Sequence, residues 1–335
     1  MYKLYNATIE LTRQCNARCK HCIVDASTKK ENELTTDRVL SLIEELHDEG
    51  CEDITFTGGE ALLRRELPLF LQKAKSLNLR PVLMTNGLLL NDSTIQMLKI
   101  FDVTLGISLD GATAETHDSL RGVPGLFDHI CKIIPKLKNA GIYTAIPTTV
   151  MQSNYHELDK IKDLLLKLKV DSWQIQVVKP CSRLNNAEIL TEQQYYDLAK
   201  KIVDYRKKYN KKMLIVESDC IGYNSVLSKD LYINTWSGCE CGIYSVSIES
   251  DGNVKGCPNM NNSEGNISDI PFKTIWQDHS SFSYNRRPNI DNLNGYCNEC
   301  IHKYICRGGC PTNAYTKNNN PYCLYKIETI GFDAD

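Results

Sequence analysis

The sequence predicts an α/β fold, a partial (β/α)6 barrel of parallel strands followed by a Cys-rich, loop-rich domain. Three observations predict it. Six short apolar runs alternate with amphipathic stretches up to about residue 180. Regular patterning fades beyond about residue 213. Of 15 cysteines, eight lie between Cys239 and Cys323. The strands expected are Ala7–Leu11, Asp53–Thr57, Arg80–Thr85, Val103–Leu109, Tyr143–Val150 and Trp173–Val178. Between the first two, Val39, Leu40, Ile43 and Leu46 recur on one helical face, Thr35 is placed to cap it and Gly50 to stop it. Leu158, Ile161, Leu165 and Leu168 repeat that pattern before the sixth strand. Six units suit an open barrel better than the closed eight-unit one. A doubly wound sheet satisfies the same alternation.

A further helix is expected over residues 192–212. Its basic end, Arg206–Lys212, reads as a solvated terminus, because cations suit the C-terminal end of the helix dipole. The chain thus divides into a barrel (1–190), a helical bridge (191–238) and a Cys-rich domain (239–335). A region so poor in periodicity is expected to rely on bound metal rather than on a large apolar core.

Composition narrows the function classes. The 335 residues carry 39 Lys+Arg and 41 Asp+Glu, a formal charge of −2, which argues against broad nucleic-acid binding. No apolar run approaches the roughly 20 residues of a membrane span. Residues 1–20 lack the apolar stretch of a secretion signal. A cytoplasmic protein is expected. In a reducing compartment, clustered cysteines point to metal or redox chemistry rather than to disulfides.

Directly after the first strand stands Cys15-Asn-Ala-Arg-Cys19-Lys-His-Cys22. Three thiolates within eight residues do not complete a zinc site without His21 or a distant Cys as fourth ligand. They can hold a 4Fe–4S cubane with one iron left open for a cofactor. The loop lies at the C-terminal end of a parallel strand, where α/β active sites gather. Cys-x3-Cys-x2-Cys in this position, with His21 before the last Cys, resembles the radical S-adenosylmethionine superfamily. The resemblance implies that Cys15, Cys19 and Cys22 ligate the cluster and that S-adenosylmethionine chelates the fourth iron. Its reductive cleavage would give a 5′-deoxyadenosyl radical that abstracts hydrogen from a substrate.

Other strand ends fit the same family. Thr57-Gly58-Gly59-Glu60 matches its GGE motif: glycines allow close backbone approach, and a carboxylate can pair with an ammonium. By resemblance, Asn86, Ser108 and Asp110, at the ends of the third and fourth strands, would contact the cofactor, with Asp110 on the ribose hydroxyls. Arg121 would pair with a carboxylate.

Further along, Cys297-x2-Cys300-x5-Cys306-x3-Cys310, then Cys323, follows Cys239, Cys241 and Gly252-x4-Cys257. Counting alone allows zinc ribbons. The pattern resembles the SPASM domain of radical enzymes that modify peptides and proteins. That resemblance implies one auxiliary 4Fe–4S cluster on Cys297, Cys300, Cys306 and Cys323. A second would sit on Cys257, Cys310 and Cys239, with Cys241 or Cys220 deciding whether an iron stays open. Pro258 follows Cys257 where sulfatase-maturing relatives place a catalytic Asp, which counts against that subgroup.

Among the spare thiols, Cys51 and Cys131 read as small buried hydrophobes. Cys181, in Lys179-Pro-Cys-Ser-Arg183, is the candidate hydrogen donor to a carbon radical. The expected function is a radical maturase of a ribosomally synthesised peptide, forming a thioether or carbon–carbon cross-link. Alternatives are modification of a protein residue or cofactor precursor, epimerisation, or a non-catalytic zinc or electron-transfer protein. The partners implied are a precursor peptide, a separate peptide-recognition protein (the first cluster cysteine leaves no room for such a domain ahead of it) and a reductant such as flavodoxin or ferredoxin.

Overall fold

Along the strand Asn6–Glu10 (β1), Ala7 and Ile9 enter the apolar core while Thr8 and Glu10 face a cavity. This is the two-residue period of a strand with one face on each environment. The computed structural model describes residues 1–331 except 182, 219, 220, 223, 234–237 and 313–321. The same alternation recurs in Asp53–Thr57 (β2), Arg80–Thr85 (β3), Thr104–Ile107 (β4), Thr144–Val150 (β5) and Ser172–Val177 (β6). Ile54, Phe56, Leu83, Leu105, Ile146, Trp173 and Ile175 form the core side.

These six strands are parallel and follow one another across the sheet in chain order. The absence of any reversal in that run removes the doubly wound alternative, whose strand order turns back at a switch point. Residues of both β1 and β6 line one cavity, so the sheet curves around it. Leu214–Glu217 (β7) extends the β6 edge in parallel. Ser245–Ile248 (β8) pairs in parallel with β1, and Asn253–Lys255 (β9) and Gly265–Asn266 (β10) continue antiparallel. Among the described residues no pairing joins β7 to β10, so the barrel stays partial.

Helices cover the apolar side: Thr36–Asp48 (α1), Leu67–Ser76 (α2), Asp92–Ile100 (α3), Ala114–Arg121 (α4), Leu126–Asn139 (α5), Leu158–Leu168 (α6) and Glu192–Tyr209 (α7). Thr35 caps α1 by accepting from the Arg38 amide, as its position predicts. The buried face of α1 uses Leu42 beside Val39, Ile43 and Leu46, and Leu40 is left half-exposed.

Two expectations need correction. The region from residue 239 is not dependent on metal throughout. Val246, Ile248, Val254, Phe272, Ile275, Trp276 and Phe282 share the barrel's own core, and β8 belongs to its sheet. Short strands separated by Asn- and Gly-rich turns gave no periodicity from which to read this. The basic end of α7 is also not wholly solvated. Lys207 and Lys208 are exposed, but Arg206 is buried, donating through Nε to the Ile215 carbonyl at 2.8 Å and lying 3.1 Å from Glu217. It ties α7 to β7. Replacing Arg206 with Met leaves the half-buried Glu217 and the Ile215 carbonyl without this partner and is expected to cost about 2 kcal/mol, measurable by denaturant unfolding, with Lys207→Met near neutral.

Candidate active site

The Cys15–Cys22 loop leaves the C-terminal end of β1 and is held from two sides by other backbones. On one side the Gly59 amide donates to the Thr12 carbonyl at 2.7 Å and the Glu60 amide to Gln14 at 2.8 Å. A Cβ on Gly58 would sit 2.6 Å from the Thr12 carbonyl oxygen, and one on Gly59 would press still harder on Gln14. The two glycines therefore exist for this approach. On the other side the Arg18 amide donates to the Arg121 carbonyl at 3.1 Å and Lys20 to Leu120 at 2.9 Å. Gly122, left-handed at the end of α4 (φ 68°), brings its Cα against the Arg18 carbonyl, where a Cβ would stand 2.8 Å away.

Cys15, Cys19 and Cys22 all line the barrel cavity of about 660 Å³. The Ala17 amide points at Cys15 Sγ (3.4 Å) and the Ala26 amide at Cys22 Sγ (3.3 Å), while Arg121 Nη1 reaches Cys19 Sγ at 3.7 Å. Burial pushes the Cys15 thiol up to about 11 and raises Cys19 as well, so iron must displace their protons on binding. Three thiols on one loop at the mouth of a cavity fit a cubane with one open iron.

The strand-end residues fall into two groups. Gly58, Gly59, Asn86, Ser108 and Arg121 line the cavity. Glu60 and Asp110 lie beneath it. The Glu60 carboxylate accepts from Thr85 Oγ1 (2.8 Å), the Asn86 amide (2.8 Å) and the Leu62 amide (3.1 Å) at 1% exposure. It braces the ends of β2 and β3. Asp110, at 0% exposure, accepts from the Thr149 amide (2.8 Å) and pairs with Arg121 Nη2 (2.6 Å) and His21 Nε2 (3.3 Å). Arg121 and His21 hold its carboxyl well below the usual range despite burial. Its internal partners are thus Arg121 and His21 on Oδ2 and the Thr149 amide on Oδ1, and it is not among the residues that line the cavity. Asp110 positions Arg121 and His21. Arg121 does meet a carboxylate, but an internal one. Asn86 is oriented by donating to Asn16 Oδ1 at 2.7 Å.

The distal cysteines separate into two groups. Cys239, Cys241 and Cys257 interact through their thiols, and Cys310 is close enough to act electrostatically on Cys257. Cys297 and Cys300 act likewise on Cys306 and Cys323, and burial pushes those two up to about 12 and 11. Each group offers four thiols, the complement of a cubane. Among the described residues no three His, Cys, Asp or Glu side chains are arranged to hold a single metal ion. Cys220 lies outside the described residues. Cys51 is buried and donates to the Asp53 carbonyl, a packing role, and Cys131 sits half-buried on α5. Cys181 lines a second cavity of about 670 Å³ rather than the barrel cavity.

Sequence reasoning missed the cavity's charged wall. Glu10 and Glu249 end the adjacent strands β1 and β8, and Arg13 bridges them, with Nε 2.5 Å from Glu10 and Nη2 2.7 Å from Glu249. Lys255 also reaches Glu249 at 2.9 Å. Nothing in the sequence signals that residues 239 positions apart share a wall, because the β1–β8 pairing brings them together. Cys257 of the first distal thiol group also lines the barrel cavity, so that group and the Cys15–Cys22 loop open onto one space.

Residues 9–165 match the radical SAM superfamily and residues 239–301 match the SPASM iron–sulfur cluster-binding domain. The chain is 30% identical to the AdoMet-dependent heme synthase of Oleidesulfovibrio alaskensis, over 95% of this chain and 86% of that one. It is 29% identical to the mycofactocin maturase MftC of Mycolicibacterium smegmatis, over 90% and 77%. The crystal structure of Streptococcus suis SuiB bound to S-adenosylmethionine shares the fold, with TM-score 0.77 at 17% identity, covering 96% of this chain and 76% of that one.

A methyl group at Gly59 must displace the Gln14 backbone and with it the cysteine loop. Gly59→Ala is expected to lose about four irons per chain on anaerobic reconstitution, one cubane, while the auxiliary iron is retained. Iron and sulfide analysis with electron paramagnetic resonance checks this.

Proposed function

This chain belongs to the radical SAM superfamily and carries a SPASM domain, and from that premise we propose that it modifies a ribosomally synthesised precursor peptide, joining two of its residues by a thioether or carbon–carbon bond. Cys15, Cys19 and Cys22 would hold the cofactor-binding cluster, and the two distal thiol groups would hold the auxiliary clusters. Bound there, the cluster and S-adenosylmethionine supply a hydrogen-abstracting carbon radical.

The observation that carries the peptide reading is the chemistry of the barrel interior. Thr8, Thr55, Thr57, Thr149, Gln174, Gln176, Ser218 and Ser247 present hydroxyls and amides to the cavity. Several are already oriented: Gln176 Nε2 donates to Thr149 Oγ1 and Gln174 Nε2 to Ser218 Oγ, each at 2.8 Å. Such a lining suits the amides of a peptide and a single reacting side chain. Gly58, Asn86 and Ser108, on the cysteine side of the same cavity, would take the cofactor. Cys257 lines the same cavity, which supports removal of an electron from a substrate bound there. Cys181 lies in the neighbouring cavity, so hydrogen return from that thiol, as epimerisation requires, is less well served. A separate peptide-recognition protein and a flavodoxin or ferredoxin would complete the system. No helix among the described residues is long and apolar enough to cross a membrane.

A second reading is favoured by one observation, the 30% identity over nearly the whole chain with a protein named as a heme synthase. On that reading the substrate is a carboxylated tetrapyrrole. Anaerobic incubation with S-adenosylmethionine, reductant and a Cys-containing precursor peptide separates the two. The expected result is release of 5′-deoxyadenosine and a peptide lighter by two hydrogens in mass spectrometry. An unchanged peptide together with a porphyrin altered in mass would establish the second reading.

A further inference from the structure

We propose that Lys179 is a positioning residue for the auxiliary cluster held by Cys239, Cys241, Cys257 and Cys310, and that its ammonium, hydrogen-bonded at Cys310, raises that cluster's reduction potential. Lys179 follows β6 and lines both the barrel cavity and the second cavity, so it stands in the wall between them. Lysine is seldom buried, because its ammonium loses hydration, yet Lys179 is only 7% exposed. Its Nζ points at Cys310 Sγ at 3.8 Å and donates to Thr312 Oγ1 at 3.0 Å. Thr312 Oγ1 in turn lies 3.0 Å from the same sulfur. Lysine and threonine therefore converge on one thiol, and the lysine charge is also felt at Cys257.

Hydrogen bonds to cluster sulfurs and nearby positive charge favour the reduced, more negative state. An ammonium fixed here thus makes the inner auxiliary cluster a better electron acceptor. The second distal group, on Cys297, Cys300, Cys306 and Cys323, has no cysteine among the lining residues of either cavity, and Lys179 is not expected to affect it. The inference needs the auxiliary clusters but not the identity of the substrate, so it stands or falls separately from the peptide reading.

The test is a redox titration followed by electron paramagnetic resonance on the full chain with Cys15, Cys19 and Cys22 changed to Ala, leaving only auxiliary iron to titrate. Lys179→Met and Lys179→Gln should each move one of the two auxiliary transitions to more negative potential and leave the other in place. Lys179→Arg should restore most of the shift. Unchanged transitions in both Met and Gln variants overturn the proposal, as does an equal shift of both clusters. Loss of auxiliary iron in both variants overturns it too, because Lys179 would then be needed for assembly rather than for potential.

Discussion

The backbone of Thr12–Gln14 lies against the backbone of Gly58-Gly59, with no room for a side chain between them. The site depends on this contact. An unsupported loop of eight residues carrying three thiols would sample many arrangements, and ordering it costs backbone entropy residue by residue. Here that cost is met by main-chain hydrogen bonds from the end of β2 and from α4, which approach the loop from opposite sides. The loop is thereby tied to the end of β2 and to α4. Preorganised ligands are the condition for a metal site of defined geometry.

Electrostatics beneath the loop follow from the same arrangement. Asp110 is fully buried, and a lone carboxylate there would be costly, yet Arg121 and His21 converge on it and the Thr149 amide donates to it. The Arg121 guanidinium then spans from Asp110 to Cys19. A cation beside a cluster thiolate would on its own favour reduction. The carboxylate behind it offsets that charge while keeping the hydrogen bond. Across the cavity, Glu10 and Glu249 are likewise balanced by Arg13 and Lys255. The wall is rich in charges but close to neutral, and its directional groups are hydroxyls and amides.

Much of this was legible in the sequence, for identifiable reasons. The six strands are short, β-branched and bounded by turn residues, and β2 and β3 run over the expected residues. The cysteine loop was legible because its spacing restricts its chemistry, and the two distal thiol groups because their spacing matches a known pattern. The internal partners of Asp110 and Glu60 were not legible, because a strand-end carboxylate looks the same in sequence whether it faces a ligand or a buried partner. Only the position of Arg121 on α4 distinguishes the cases for Asp110. The Glu10–Arg13–Glu249 wall was invisible, since β8 joins β1 only after the chain has completed the other strands of the barrel. Arg206 was misread because a basic run at a helix end normally is solvated, and only β7, too short to announce itself, gives it the half-buried partner Glu217.

The pairing of β8 with β1 also orders the redox centres. Through it, residues 245–255 become part of the barrel wall, and Cys257, just beyond β9, is carried onto the cavity lining. The group on Cys297, Cys300, Cys306 and Cys323 has no such attachment. Its cysteines sit on short helical turns and at the start of the last helix, Leu324–Ile330. Ile301, Tyr304 and Ile305 beside them are exposed. One thiol group therefore faces the barrel cavity and the other lies beside exposed side chains, and the potentials of clusters held there would depend on such differences in burial. Sheet continuity, rather than cysteine spacing, decides which thiol group reaches the cavity.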